Sequence, residues 1–143
     1  MSFRFATDVR VRLPETDALG VLFHGYFYTY FDVARMDYLR SLGLLQQFLS
    51  GESLNLVVHS SADFRSPARF DDVLVVRARI QRIGDSSVTF EFRVEHQQDG
   101  RLIAEGRSVH AFIDSKTWKP VRVPEPFRQA VTAFEGSSLK EKS

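Results

Sequence analysis

Apolar and polar positions alternate along the first residues, with Phe3, Phe5, Val9, Val11 and Leu13 set against Arg4, Asp8, Arg10 and Arg12. A period of two predicts a half-buried strand over 3–13, and Pro14 ends it. After a polar loop from Glu15 to Gly20 the period changes. Drawn at about 100° per residue, Phe23, Phe27, Tyr30, Phe31, Ala34, Tyr38 and Leu42 fall on one helical face, with Tyr26, Thr29, Val33, Asp37 and Arg40 opposite. This spacing predicts one long helix from about His24 to Leu42, stopped by Ser41-Leu42-Gly43, then a short helical turn over Leu44 to Leu49.

The remainder reads as strand. Leu54, Leu56, Val58, Ser60, Ala62 and Phe64 alternate with Asn55, His59, Ser61 and Asp63. Leu74, Val76, Ala78 and Ile80 alternate with Arg77, Arg79 and Gln81, and beyond a turn at Gly84-Asp85 so do Val88, Phe90, Phe92 and Val94 with Thr89, Glu91, Arg93 and Glu95. Asp99-Gly100 is a hairpin turn into a last long strand, Leu102 to Asp114, whose small residues Ala104, Gly106 and Ser108 leave room for a helix to approach. Phe127 to Phe134 predicts a terminal helix, and Gly136 to Ser143 a frayed polar tail. The order is α+β: an antiparallel sheet with one oily face, wrapped around the one helix that has enough apolar surface to cover it.

Composition narrows the chemistry. The chain has 143 residues, 43% of them hydrophobic and 26% charged, which fits a single compact domain. With 19 basic against 18 acidic side chains there is no net field to hold a polyphosphate strand, so nucleic acid is not an expected partner. No run approaches a membrane span and the first residues lack the apolar core of a signal peptide, so a cytoplasmic protein is expected. Cysteine is absent, which removes thiol nucleophiles and Cys-ligated zinc. His24, His59, His96 and His110 are scattered without an i, i+4 pair, and no metal site is expected. The 13 phenylalanines stand out, and six aromatic residues crowd between Phe23 and Phe31.

That crowd adjoins the segment Glu15-Thr16-Asp17-Ala18-Leu19-Gly20-Val21-Leu22-Phe23-His24. It places a carboxylate, a glycine turn and an imidazole at the start of the predicted helix. Free N–H groups and the macrodipole there favour the negative charge that a carbonyl oxygen acquires when its carbon is attacked. A nearby carboxylate can serve as base or nucleophile, which suits ester or thioester hydrolysis. The same residues admit a plainer reading, with Asp17 capping a turn and His24 capping the helix. Asp32 likewise reads either as an i, i+3 partner of Arg35 or as a contact to a substrate tail. Arg65, Arg69, Arg77, Arg79 and Arg82 are either phosphate ligands or solvated strand faces.

Three ordered motifs carry a resemblance. Asp17-Ala-Leu-Gly-Val-Leu-Phe-His24, Phe31-Asp32-Val-Ala-Arg35 and Arg65-Ser-Pro-Ala-Arg69-Phe-Asp-Asp72 resemble the hotdog-fold acyl-CoA thioesterases of the 4-hydroxybenzoyl-CoA thioesterase family, especially its YbgC-like branch. The likeness runs from about Val9 to Pro124 and includes Ala104-x-Gly106 and Asp114. It implies a hotdog domain over 1–135 with a polar tail over 136–143. It implies Asp17 as the catalytic aspartate, acting as nucleophile or as general base for water. His24 would polarise the thioester carbonyl through its backbone N–H and also act through its ring. Gly20 would make the turn between them, and Val21, Phe23, Phe27, Tyr28, Phe31 and Asp32 would line the acyl site. Coenzyme A would be part of the substrate, with no cofactor, and the enzyme a homodimer or homotetramer whose sheets join edge to edge with the active site at the subunit interface. Phe27 replaces the family's common tyrosine, making the pocket oilier. Gly84-Asp85 stands where the hydroxybenzoyl enzyme has basic residues, so the grip on CoA is expected from Arg65, Arg69 or Arg82. The alternatives are a non-catalytic acyl-CoA or lipid-binding module, an acyl carrier protein thioesterase, a hydratase and a structural dimerisation domain.

Overall fold

The computed structural model describes residues 3–50 and 53–141, with the side chains of Ser53 and Leu54 outside that description. In chain order the elements are β1 (Phe5–Arg10), α1 (Tyr26–Ser41), α2 (Leu45–Ser50), β2 (Ser53–Phe64), β3 (Val73–Ile83), β4 (Ser87–His96), β5 (Leu102–Asp114), α3 (Glu125–Glu135) and β6 (Lys140–Glu141). The strands form one sheet in the order β1-β3-β4-β5-β2, antiparallel throughout, with β6 added parallel to β3. The alternation in β3 and β4 does what the pattern predicts: Leu74, Val76, Ala78, Ile80, Val88, Phe90, Phe92 and Val94 are all buried.

Helix α1 covers this oily face, burying Phe27, Tyr30, Phe31, Ala34, Arg35, Tyr38 and Leu39. Its contact with the sheet is aromatic. The ring of Phe31 stacks on Phe92 at 4.7 Å, Phe92 lies parallel to Phe90 at 5.8 Å, and Tyr38 meets Phe90 edge-on at 5.5 Å. The close approach depends on Gly106. A Cβ there would lie 2.3 Å from Cε2 of Phe31, so only glycine fits under that ring.

Three expectations are corrected. The first strand ends at Arg10, because Leu13–Glu15 turns into a short 3-10 helix and leaves Leu13 exposed. Phe23 and Leu42, placed on the buried stripe, sit outside the ends of α1; Phe23 is exposed, and Arg35 and Leu39 fill the buried face instead. Residues 136–141 are not a frayed tail. Gly136–Ser138 form a 3-10 turn, and Lys140 and Glu141 pair with Arg82 and Ile83 on the side of β3 that β1 leaves open. Residues 142 and 143 of that tail lie outside the described residues. Among the described residues no helix is long and apolar enough to cross a membrane.

Candidate active site

The segment between β1 and α1 folds as a small hairpin. Asp17 N–H donates to the Val21 carbonyl at 2.9 Å, Phe23 N–H donates to the Glu15 carbonyl at 2.9 Å, and Thr16 bridges Leu22. Gly20 turns it with φ of 77°, a left-handed conformation that glycine adopts without strain. Leu22 N–H then donates to Ala68 at 2.8 Å and Val21 bridges Arg69, so the loop is stitched to the segment after β2. This brings the first and third sequence motifs side by side.

The half-buried Asp17 carboxylate is held by its own loop, as the capping reading expects. Its Oδ1 accepts from Leu19 N–H at 2.8 Å and from Val21 N–H at 3.4 Å. Its Oδ2 has no hydrogen-bond partner among the described residues. His24 does not cap α1 with its side chain; the N-cap is Gly25 and has no side-chain bond. The His24 carbonyl accepts from Phe27 N–H at 3.2 Å, while nothing among the described residues accepts from the N–H groups of His24 and Gly25. Two donors at the positive end of a 16-residue helix are thus uncommitted.

Beside them opens a cleft lined by Leu22, His24, Phe27, Phe64, Arg65, Ser66, Pro67 and Ala68. The exposed His24 ring is tilted against Phe23 at 4.4 Å and meets Phe64 edge-on at 6.0 Å. Phe27 meets Phe64 from the other side at 5.2 Å. The cleft is therefore oily along one wall and cationic at its Arg65 rim, whose guanidinium also reaches Glu105 at 3.4 Å. Asp17 is not among the lining residues.

The other expected site residues are spread out. Phe31 is core, under Phe92 and Gly106. Tyr28 is exposed and touches Phe31 edge-on at 5.9 Å. Asp32 makes the i, i+3 pair with Arg35, Nε to Oδ1 at 3.2 Å. The exposed Arg69 stands next to the hairpin through Val21, whereas Arg82 lies on β3 beside Lys140 and does not line the cleft. No cluster of metal-ligating groups occurs among the described residues. His110 is buried and bonded to Ser108 at 2.8 Å. Glu15, passed over as a polar loop residue, is buried at 4% exposure. It takes Tyr30 O–H at 2.6 Å and Arg12 N–H at 3.1 Å on Oε1, and the Arg12 guanidinium at 2.5 Å on Oε2. The Arg12 bond holds its carboxyl below the ordinary glutamate range, against the opposing effect of burial. The Arg12-x-x-Glu15 spacing was the available signal, since it sets a carboxylate over the preceding turn.

The profile of the Thioesterase superfamily matches residues 19–103, and the chain belongs to that superfamily. It is similar to the acyl-CoA thioesterase YbgC of Haemophilus influenzae, 31% identical over 88% of this chain and 93% of that protein. A solved structure from Pseudomonas aeruginosa superposes with a TM-score of 0.85 at 30% identity, covering 94% of both chains. A 1,4-dihydroxy-2-naphthoyl-CoA thioesterase from Synechocystis superposes with a TM-score of 0.83 at 27% identity, covering 89% of this chain and 94% of the other.

Proposed function

We propose that the protein hydrolyses acyl-CoA thioesters to the free acid and coenzyme A. The observation that carries the reading is the pair of uncommitted N–H groups at His24 and Gly25, opening beside the cleft of His24, Phe27 and Phe64. The thioester carbonyl sits with its oxygen toward these donors, where the charge of a tetrahedral intermediate is stabilised. Asp17 uses its free Oδ2 in one of two ways. As general base it takes a proton from water as the water oxygen attacks the carbonyl carbon; as nucleophile it attacks that carbon itself, and water then cleaves the anhydride. In either route the C–S bond breaks and the CoA thiolate departs and takes up a proton. A thiol leaves as the anion with a pKa near about 8.5, so no strong general acid is needed.

The acyl group, aryl or medium-chain, lies against Phe23, Phe27 and Phe64, and Arg65 and Arg69 hold the nucleotide phosphates at the rim. Around α1 the sheet curls as in the hotdog fold the sequence motifs resemble. The enzyme is a dimer or a pair of dimers joined through β2. That strand is long, lies at the end of the sheet and exposes Val57 at 52% and Val58 at 63% across a bulge between Val57 and His59, a combination that solitary proteins avoid.

Thiol release from a panel of short, branched, medium, long and aryl CoA esters tests the reading, run beside Asp17→Asn. We expect turnover on aryl or medium-chain esters and a loss of at least about a hundredfold in the variant with its circular dichroism unchanged. Full activity in Asp17→Asn removes Asp17 from the mechanism. Tight binding of acyl-CoA with no thiol release from any ester makes the protein a binding module.

A further inference from the structure

Catalysis in the reading above needs the Asp17 carboxylate fixed against the N-terminus of α1, yet Asp17 sits on a surface hairpin turned by a glycine. We infer that Glu15 is the residue that positions it. The inference rests on the proposed role of Asp17 and adds how that group is aimed.

Glu15 joins three pieces of chain. Through Oε1 it takes Tyr30 O–H, from the second turn of α1 and fully buried; through the same oxygen and Oε2 it takes the backbone N–H and guanidinium of Arg12, just beyond β1. Through its own carbonyl it receives Phe23 N–H, which closes the base of the hairpin two residues from Asp17 on one side and one residue from His24 on the other. Apart from the bond to the exposed Arg12 guanidinium, these bonds end on backbone atoms or on Tyr30, which packs in the core against Phe27. A carboxylate is a costly way to fill such a place, because its charge must leave water while the Arg12 side chain stays exposed, and an apolar side chain of similar volume would pack without that penalty. What the carboxylate supplies and an apolar group cannot is direction. Its two oxygens accept along defined lines, so the base of the hairpin takes one orientation relative to the axis of α1. Asp17 and the free N–H of His24 are then held at the two ends of one rigid clamp, as a group that reacts across a gap must be.

Two variants test it. Glu15→Gln keeps the shape and one acceptor but loses the charge-assisted bonds, and Tyr30→Phe removes only the tie to α1. In each we expect kcat to fall about tenfold or more with KM within about twofold, because substrate binding at the cleft is untouched and only the aim of Asp17 is lost. In an Asp17→Asn background the same changes should cost little further, since there is no longer a carboxylate to aim; a merely structural Glu15 would lose activity by the same factor in both backgrounds. Amide hydrogen exchange supplies a readout that does not depend on turnover. Exchange of residues 17–23 should speed up at least about tenfold in Glu15→Gln, while β3 and β4 keep their protection. Unchanged kcat and unchanged loop exchange in both folded variants would overturn the inference, and so would equal losses with and without Asp17. A wild-type protein that releases no thiol, or an active Asp17→Asn, would instead sink the underlying reading, and the exchange result would still say whether Glu15 holds the hairpin.

Discussion

His110 shows how much a single position can be decided by its surroundings. It stands on β5 facing the core, fully buried, with Nε2 on Ser108 and Nδ1 without a partner. Burial first, and the nearby Arg35 cation second, push its pKa down to about 3. In the unfolded chain the same ring titrates near about 6.5. Between those values the unfolded state binds a proton that the folded state refuses, so stability is complete above the upper one and falls as pH drops toward the lower. The slope from this group alone approaches about 1.4 kcal/mol per pH unit within the window. Thermal melts at pH 7, 5.5 and 4.5 should therefore show a steeper decline for the native protein than for His110→Gln. Parallel declines would mean that the ring takes up its proton without unfolding. His110 shares its face of β5 with Ala104, Gly106 and Ser108, the small residues that the sequence singles out. Its proximity to Arg35 joins residues 75 apart in the chain, which no local pattern carries.

At the scale of elements, period was the dependable signal. It located α1 within two residues at its N-terminus and one at its C-terminus, and it located β5 at its observed ends, because one face of each is largely buried. It failed where elements are short or are held by something other than an apolar stripe. Lys140 and Glu141 are exposed on both faces, and only backbone pairing with Arg82 and Ile83 makes them a strand. Phe23 fits the helical stripe in spacing, yet the chain there is still closing the hairpin onto Glu15, so its ring is left exposed against His24. Asp17 and Gly20 were legible as a turn with an acceptor, whereas the orientation of the loop depends on Glu15, Arg12 and Tyr30 meeting across three elements. The small residues of β5 were legible too, and they carry a prediction. Gly106→Ala forces a methyl group to 2.3 Å from a ring clamped on Phe92, so α1 must lift or Phe31 must leave its place. Overpacking of this kind costs roughly 1–3 kcal/mol, which scanning calorimetry would detect as a lower Tm. A Tm equal to that of the native protein would mean that Phe31 has a second place to go.

For the whole molecule the two rims of the sheet differ. On one rim β3 is covered in pieces: β1 spans Val73 to Ala78, the Glu135 carboxylate takes Ile80 N–H at 3.1 Å, and β6 covers Arg82 and Ile83. The other rim is β2, which runs unbroken over Ser53–Phe64 apart from its one bulge. The proposed joining of copies through β2 predicts that Val58→Lys lowers the mass seen by light scattering to that of one chain, and that turnover falls with it if the cleft is completed by a neighbour. A variant that keeps the mass of the native assembly would place the contact elsewhere.

The patchwork opposite β2 has its own consequence. A strand seeking to add there would meet two short segments with a side chain between them, and so would find no continuous template to zip along. The long β2 margin is then the favoured place for a second copy, and when two copies meet there by a twofold axis that margin is used up. In the proposed assembly the margin that invites a second copy is consumed when that copy arrives, and open-ended growth along it stops there.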